Sequence, residues 1–470
     1  METILALALT LCPAFAEAPA GRQDPRDRLM DAVKEARLAD AEAALTDLAA
    51  GDGAKAARGL VAALPKARDA ATLLHLHAAK ARENLNSLDD SFNFAIDSER
   101  QKRLQLEEAR GRVRETSARA LDGERVYEAI RGTFYALKPG AERALAAEGE
   151  RSGSWVQKCE IYEGLGAIGA EAELLAALER EKEPVVQAAI LSGVFTGKAA
   201  PFLDHPQWQL RLAALQSLGA SPGAVGPIVA RLAEPDQRFR NAAFGTLSRL
   251  TGTTLPADPG AWRDWWKANG EDFAAGRYAP SRRKELPGPG RTTFYDIPLV
   301  SSRICFVIDR SGSMRDNGKF DAAKQELRAL LDRLPDGAQV NIVFFGGTSS
   351  VFSRLGSRTL DDRSRRDAID FVERMGFESG TDLYKALERA LACVGSYETG
   401  RLREDGVDTL VVLSDGQATV GKLLDDEAIA RVIARKARYF RPVIHCVSLS
   451  SDAQSLKLLA RLSGGEYRTR

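Results

Sequence analysis

Histidine is scarce in this chain of 470 residues, which has four. They stand at positions 75, 77, 205 and 445, and none lies near the serine-rich motif described below. Serine-nucleophile chemistry needs an adjacent base, so that chemistry has no visible partner. His75 and His77 are spaced i, i+2, which points them to different sides of a helix, and they read as packing or solvent residues. The segment G-x-x-x-x-G-K-[ST] is absent, which removes the commonest nucleotide loop. Cysteine is sparse: Cys12, Cys159, Cys305, Cys393 and Cys446 show neither metal-knuckle nor redox-pair spacing. Cys305 and Cys446 sit in apolar strand patterns and read as buried thiols. Net charge is nearly absent at +1, so nothing argues for bulk binding of nucleic acid. Apart from the N-terminus, no apolar run approaches the roughly 18 residues of a spanning helix.

The chain is long enough for about three domains. Residues 1–16 hold a short apolar stretch, Ile4 to Leu11, then Pro13-Ala14-Phe15-Ala16, a small-x-small pattern. This reads as a secretory signal peptide cut after Ala16, although Glu2 stands where a basic residue is usual. Export to the periplasm, the cell surface or the medium is the expectation; retention of the segment would mean a cytoplasmic protein.

From 17 to 150 the pattern is helical and rich in Ala, Leu, Glu and Arg, with a long helix or coiled-coil arm over Ser98 to Ala120. Residues 151–275 repeat a grammar: Pro184, Pro206 and Pro235 each precede a stretch with Arg or Gln outward and Ala, Leu or Phe inward. Proline at a helix start costs no hydrogen bond. These stretches resemble HEAT-type repeats, which stack into a curved solenoid with a binding face. Trp262, Trp265 and Trp266 share one helix face and are expected to cap the last repeat. Pro, Gly and charge between 276 and 296 mark a linker.

From 297 to 470 strands and helices alternate. Strands are expected at 303–309, 339–345, 408–414 and 442–448, and helices at 319–334, 361–374, 382–396, 425–438 and 453–462. That alternation predicts an α/β, doubly wound, mostly parallel sheet covered on both faces. The apolar run Ile304 to Ile308 ends in Asp309-Arg-Ser311-Gly-Ser313, a D-x-S-x-S motif. Gly380-Thr381-Asp382 opens another helix, and Leu410 to Leu413 ends in Ser414-Asp415-Gly416. Ligands of open α/β sheets gather at the carboxyl ends of strands, and a set of carboxylates and hydroxyls suits a hard divalent cation.

These motifs together resemble the von Willebrand factor type A domain. The resemblance implies a metal-ion-dependent adhesion site made by Asp309, Ser311, Ser313, Thr381 and Asp415. It implies that the two serines touch the ion directly, that Thr381 and the two aspartates bind directly or through water, and that an acidic side chain from a partner takes the remaining position. Mg2+ is the expected ion, with Mn2+ or Ca2+ as alternatives. Two aspartates against one divalent ion leave the occupied site near neutral, able to attract one more carboxylate. The expected function is a non-enzymatic protein that captures an acidic residue of a protein partner through that ion, with a second surface on the helical repeats. The alternative is a structural or assembly factor, or an ATPase-associated adaptor, in which the helices carry the specificity. Cleavage after Ala16 predicts a mature chain that begins at Glu17, and intact mass of the protein from its native compartment reads this directly: a chain still carrying residues 1–16 excludes export by this route.

Overall fold

The computed structural model describes residues 23–91, 99–195, 197–219, 222–234, 236–253, 255–278, 293–354, 356–450 and 453–470. The expected signal peptide and most of the expected linker lie outside the described residues. The chain divides into two compact units, 1–181 and 182–470. This division falls inside the stretch expected to hold the repeats, because the helices before and after it pack on different partners.

The first unit is helical: α1 (Pro25–Glu35), α2 (Leu38–Ala50), α3 (Gly53–Ser91), α4 (Glu99–Thr133), α5 (Ala141–Arg151), α6 (Trp155–Ala167) and α7 (Glu171–Arg180). The long helix expected over 98–120 is present as α4 and continues to Thr133. It lies along α3 at close range. A Cβ on Gly123 would come within 2.8 Å of Leu74 and 3.2 Å of Ala71, so this glycine sets the approach of the two helices. Next to it, buried His75 is 3.1 Å from Glu124, while His77 is exposed. Tyr127 donates to Glu160 at 2.6 Å, tying α4 to α6.

The second unit begins with α8 (Pro184–Leu191), α9 (Trp208–Leu218), α10 (Val225–Ala230), α11 (Gln237–Thr251) and α12 (Pro259–Ala274). Pro184 and Pro259 occupy first-turn positions, and Asp236 and Asp258 cap their helices by accepting from Phe239 N at 3.0 Å and Ala261 N at 2.7 Å. Helices thus start where the repeat grammar places them. Between α8 and α9, however, the chain forms a 3-10 segment, Gly197–Asp204, containing Pro201, in place of a second full helix. Trp262 is fully buried, and Trp265 stacks edge-on against Tyr278 at 5.2 Å.

The sheet follows. Its strands are β3 (Arg303–Asp309), β4 (Gln339–Phe345), β5 (Ser349–Val351), β6 (Arg358–Thr359), β9 (Thr409–Ser414), β10 (Val443–Ser448) and β11 (Tyr467–Thr469). Two short ladders lie outside it: β1 (Thr293–Phe294) with β2 (Ile297–Pro298), and β7 (Gly395–Ser396) with β8 (Arg401–Leu402). The main order is β11-β10-β9-β3-β4-β5, with β6 also on β4; β11, β10, β9, β3 and β4 run parallel, and β5 and β6 antiparallel. One face carries Ile304, Phe306, Ile308, Val340, Ile342, Phe344, Val411 and Leu413. It is covered by α13 (Lys319–Arg333) and α14 (Asp362–Glu373) through Phe320, Leu327, Leu331, Ala368 and Val372. The other face is covered by α15 (Leu383–Ala392) on β3 and β4 and by α17 (Gln454–Leu462) on β10, with α16 (Asp426–Phe440) between them. Every central side chain on β9 is buried, as a two-sided parallel strand requires. A hairpin at 293–298 precedes the main sheet. Phe294 and Ile297 are both fully buried in the sheet core, and Tyr295 and Asp296 make the turn at φ of 48° and 60°.

Helix α11 clasps the N-terminal ends of the strands. Arg238 donates to the carbonyls of Asp408 at 2.7 Å and Arg441 at 2.6 Å, residues that directly precede β9 and lie two before β10. Asn241 donates to the carbonyl of Val300 at 3.0 Å. Asp408 is fully buried here, and desolvation pushes its carboxyl above the ordinary value, against the pull of Arg238. No described helix is long and apolar enough to cross a membrane.

Buried His445, on β10, accepts from Glu466 N through Nδ1 at 3.0 Å, so the proton of the neutral ring sits on Nε2. Burial, with Arg238 and Arg468 adding to it, holds its pKa down at about 4 from 6.5. Between those two values the unfolded chain binds more protons than the folded one, so stability rises with pH across the window and is lost as pH falls from 6.5 toward 4. The full effect is about 3 kcal/mol. Replacing His445 by Gln should flatten the urea-unfolding free energy between pH 6.5 and 4 relative to wild type; parallel pH profiles for the two proteins would contradict this.

Candidate metal centre

Strands β3 and β9 are neighbours in the sheet although 99 residues of sequence separate the end of one from the start of the other. From β3 the chain crosses to β4 on the far side, so the β3–β9 edge is where the winding reverses. At such a switch point the loops after two adjacent strands diverge and leave a crevice. Asp309 ends β3, and Asp415 follows β9.

Asp309 is fully buried. Its Oδ1 accepts from Ser311 N at 2.8 Å, and its Oδ2 accepts from Ser414 Oγ at 2.5 Å. Desolvation raises its pKa, opposed by the Ser414 and Ser311 hydrogen bonds and reinforced by Asp415. The first bond closes the turn that aims Ser311 and Ser313 upward. Ser311 Oγ and Ser313 Oγ lie 3.1 Å apart, and Ser313 Oγ donates to Asp415 Oδ1 at 2.7 Å. Lys319 Nζ then donates to Asp415 Oδ2 at 2.6 Å. Asp309, Ser311, Ser313 and Asp415 therefore form one continuous hydrogen-bonded chain across the crevice, ending on an ammonium.

Thr381 reaches the same end of the sheet by a different route. Its loop is fastened by Glu378 N to the carbonyl of Arg310 at 2.9 Å, by Asp382 N to that of Gly346 at 2.8 Å, and by Thr381 N to Thr419 Oγ1 at 2.9 Å. Arg310 also pairs with Glu378. Gly380 turns this loop at φ 79°, where a Cβ would sit 3.0 Å from Val420, so the position needs glycine. Thr381 is buried, and its hydroxyl hydrogen-bonds to none of the other four donors.

The donor set is oxygen only: two carboxylates and three hydroxyls, the chemistry of a hard divalent cation. Among the described residues, no three His, Cys, Asp or Glu side chains converge as a metal cluster. Both oxygens of Asp309 already accept hydrogen bonds, which suits it to aligning Ser311.

Two participants were missing from the sequence reading. Ser414 is the partner of Asp309. Lys319 is the more consequential, because it places a positive charge on Asp415 that the sequence reading did not count. A signal for Lys319 existed. It stands in the first turn of α13, after Gly318 at φ 68°, where the helix dipole disfavours a cation.

Residues 304–417 match the family model of the von Willebrand factor type A domain, and the chain carries such a domain there. Mouse inter alpha-trypsin inhibitor heavy chain 4 is 26% identical over 128 residues, 27% of this chain and 13% of that protein. Inter-alpha-trypsin inhibitor heavy chain H2 of Mesocricetus auratus is 32% identical over 126 residues, 26% of this chain and 13% of that one. Rat von Willebrand factor A domain-containing protein 5A is 27% identical over 188 residues, 37% of this chain and 21% of that protein. The match thus spans from about an eighth to a fifth of these relatives. Among solved structures, a von Willebrand factor type A protein from Catenulispora acidiphila aligns with 36% of this chain and 38% of its own, at 22% identity and TM-score 0.31. Proximal thread matrix protein 1 of the mussel byssus, with a zinc-occupied MIDAS motif, aligns with 35% of this chain and 40% of its own, at 18% identity and TM-score 0.28.

Lys319→Met should expose the role of the ammonium. Asp415 loses a charged hydrogen bond, so in chelator the variant unfolds about 2 kcal/mol more easily than wild type. Added Mg2+ or Mn2+ should then stabilise the variant more than wild type, because an ion replaces the missing charge without repulsion from Lys319. Denaturant titrations with and without metal measure both effects, and equal metal responses in the two proteins would show that Lys319 does not bear on the site.

Proposed function

We propose that this protein is a non-enzymatic binder that captures an acidic side chain of a protein partner through a divalent cation. The observation that carries this reading is the hydrogen-bonded chain Asp309–Ser311–Ser313–Asp415–Lys319 at the switch point of the sheet. Ser311, Ser313, Thr381 and Asp415 would hold the ion, and Asp309 would align Ser311 beneath it. When bound, the ion supplies an electrophilic centre for a carboxylate. Lys319 biases the site further toward an anion, since it leaves one positive charge uncompensated until the partner's Asp or Glu arrives.

Lys319, the lysine at the site, is engaged with Asp415, and the oxygen donors around it are those of an ion-binding set. Mg2+ is the ion best matched to an oxygen shell completed by water, with Mn2+ and Ca2+ as alternatives. Export is the compartment we favour, from the signal-peptide pattern at residues 1–16.

A second reading places specificity on the helices of residues 184–274, with the sheet as their support. The observation that favours it is the clasp of Arg238 and Asn241 on the strand N-termini, which makes those helices and the sheet one body. One affinity capture separates the readings. Performed in Mg2+, in EDTA, and with Asp415→Ala in Mg2+, it should recover a partner in the first condition alone. Equal recovery in all three would shift the recognition surface to the helices and overturn the metal-dependent reading.

A further inference from the structure

Three connecting segments meet at the crevice: 310–318 after β3, 376–382 before α15, and 415–422 after β9. The first carries Ser311 and Ser313, the second Thr381 and the third Asp415. Exposed large apolar side chains are few among the described residues, yet two of them stand on these segments. Phe377 is 37% exposed and Val420 is 40% exposed. Single exposed apolar residues are ordinary on a protein surface. These two differ in how firmly they are held.

Phe377 rests on buried Phe320, the residue after Lys319, with ring centroids 5.1 Å apart. The guanidinium of Arg315 lies over the Phe377 ring at 4.9 Å. The next residue, Glu378, fastens this segment to the one after β3: its N–H donates to the carbonyl of Arg310 at 2.9 Å, and its carboxylate pairs with the Arg310 guanidinium. Thr348 Oγ1 donates to the same carboxylate at 2.7 Å. Val420 is tied to Thr381 itself. Thr419 N and Val420 N both donate to the carbonyl of Thr381, at 3.0 and 3.4 Å. Its methyl groups cover two glycines, since a Cβ on Gly380 or Gly347 would lie 3.0 or 4.0 Å from them. The aromatic ring is thus anchored to the segment that presents the serines, and the isopropyl group to the backbone of the threonine. Side chains already fixed in place lose little freedom when a partner covers them.

Charge and polarity then act together. The exposed charged residues of the three segments are Arg315, Asp316 and Lys422, two basic against one acidic, so the rim favours a negatively charged visitor. A carboxylate held on an ion in open water is held weakly, because a high dielectric divides the attraction. Groups that exclude water around a central charged contact strengthen it, and aromatic and arginine side chains dominate such contacts. Phe377, Arg315 and Val420 surround the oxygen donors in that way.

We propose that the partner segment taken by this site is an acidic residue flanked by large apolar side chains, and that Phe377 and Val420 select it. The proposal rests on the ion-dependent reading above. An Asp or Glu among glycines would reach the ion but leave both apolar surfaces wet.

The test titrates fluorescein-labelled peptides with the full chain, in Mg2+ and in EDTA, read by fluorescence anisotropy. One peptide has Asp between two leucines, a second has Asp between two glycines, and a third has Asn between two leucines. In Mg2+ the first should bind about tenfold more tightly than the second, the scale of a strong interface side chain, and the third should not bind. Phe377→Ser and Val420→Thr should each shrink that preference while leaving the glycine-flanked peptide and the stabilisation of the fold by Mg2+ at wild-type values. Phe377→Leu should retain most of it. Should Phe377→Ser fail to fold, Val420→Thr and the wild-type peptide series still decide. Equal, Mg2+-dependent affinities for the two Asp peptides overturn this proposal and leave ion-dependent capture standing. Binding that persists in EDTA, or extends to the Asn peptide, reveals apolar attraction alone and overturns it as well. A preference that survives both substitutions removes Phe377 and Val420 from recognition. Absence of Mg2+-dependent binding by either Asp peptide overturns the capture reading and this proposal with it.

Discussion

Asp309 sits where water does not reach, and it survives there because the fold brings two donors to it from different parts of the chain. One is the backbone of Ser311, two residues on; the other is the hydroxyl of Ser414, 105 residues on. An unpaired buried carboxylate would be costly, so the Ser414 bond adds a side-chain link between the ends of β3 and β9 to the ladder that already pairs them. Everything at the rim is built on that link. The turn it closes presents Ser311 and Ser313, and Ser313 reaches Asp415, which β9 has carried to the same height.

The electrostatics of the rim then follow from one further residue. Two aspartates close together repel, and without a counter-charge the crevice would favour protonation or disorder. Lys319 supplies a tethered positive charge from the start of α13. The ammonium holds Asp415 Oδ2 while Ser313 holds Oδ1, so both oxygens of that carboxylate are positioned by groups from the β3 side of the crevice.

Much of this was legible in the sequence. Strands 303–309 and 339–345 were expected residue for residue, because both are short, mostly apolar runs rich in β-branched and aromatic residues. The strands at 409–414 and 443–448 differ by one residue. Helix 383–392 ends earlier than expected, since Val394 and Gly395 continue the apolar pattern while the backbone leaves it for a short ladder. Edge strands β5, β6 and β11 were invisible: they are two or three residues long and partly exposed, so no periodicity announces them. Within the site, the contiguous D-x-S-x-S motif could be read directly. The roles of Ser414 and Lys319 could not, because each is defined by a partner about a hundred residues away. The repeat grammar located helix starts but not their pairing, which the Pro201 segment interrupts.

The clasp of α11 on the strand N-termini and the oxygen cluster at the strand C-termini lie at opposite ends of the same parallel strands. Strands of six or seven residues span about 20 Å. A pull delivered at the cluster and resisted at Arg238 would run along the strand axes, loading the ladder bonds of β3 and β9 in shear, together rather than one after another. Tension in that direction would meet the sheet along its strands rather than across them.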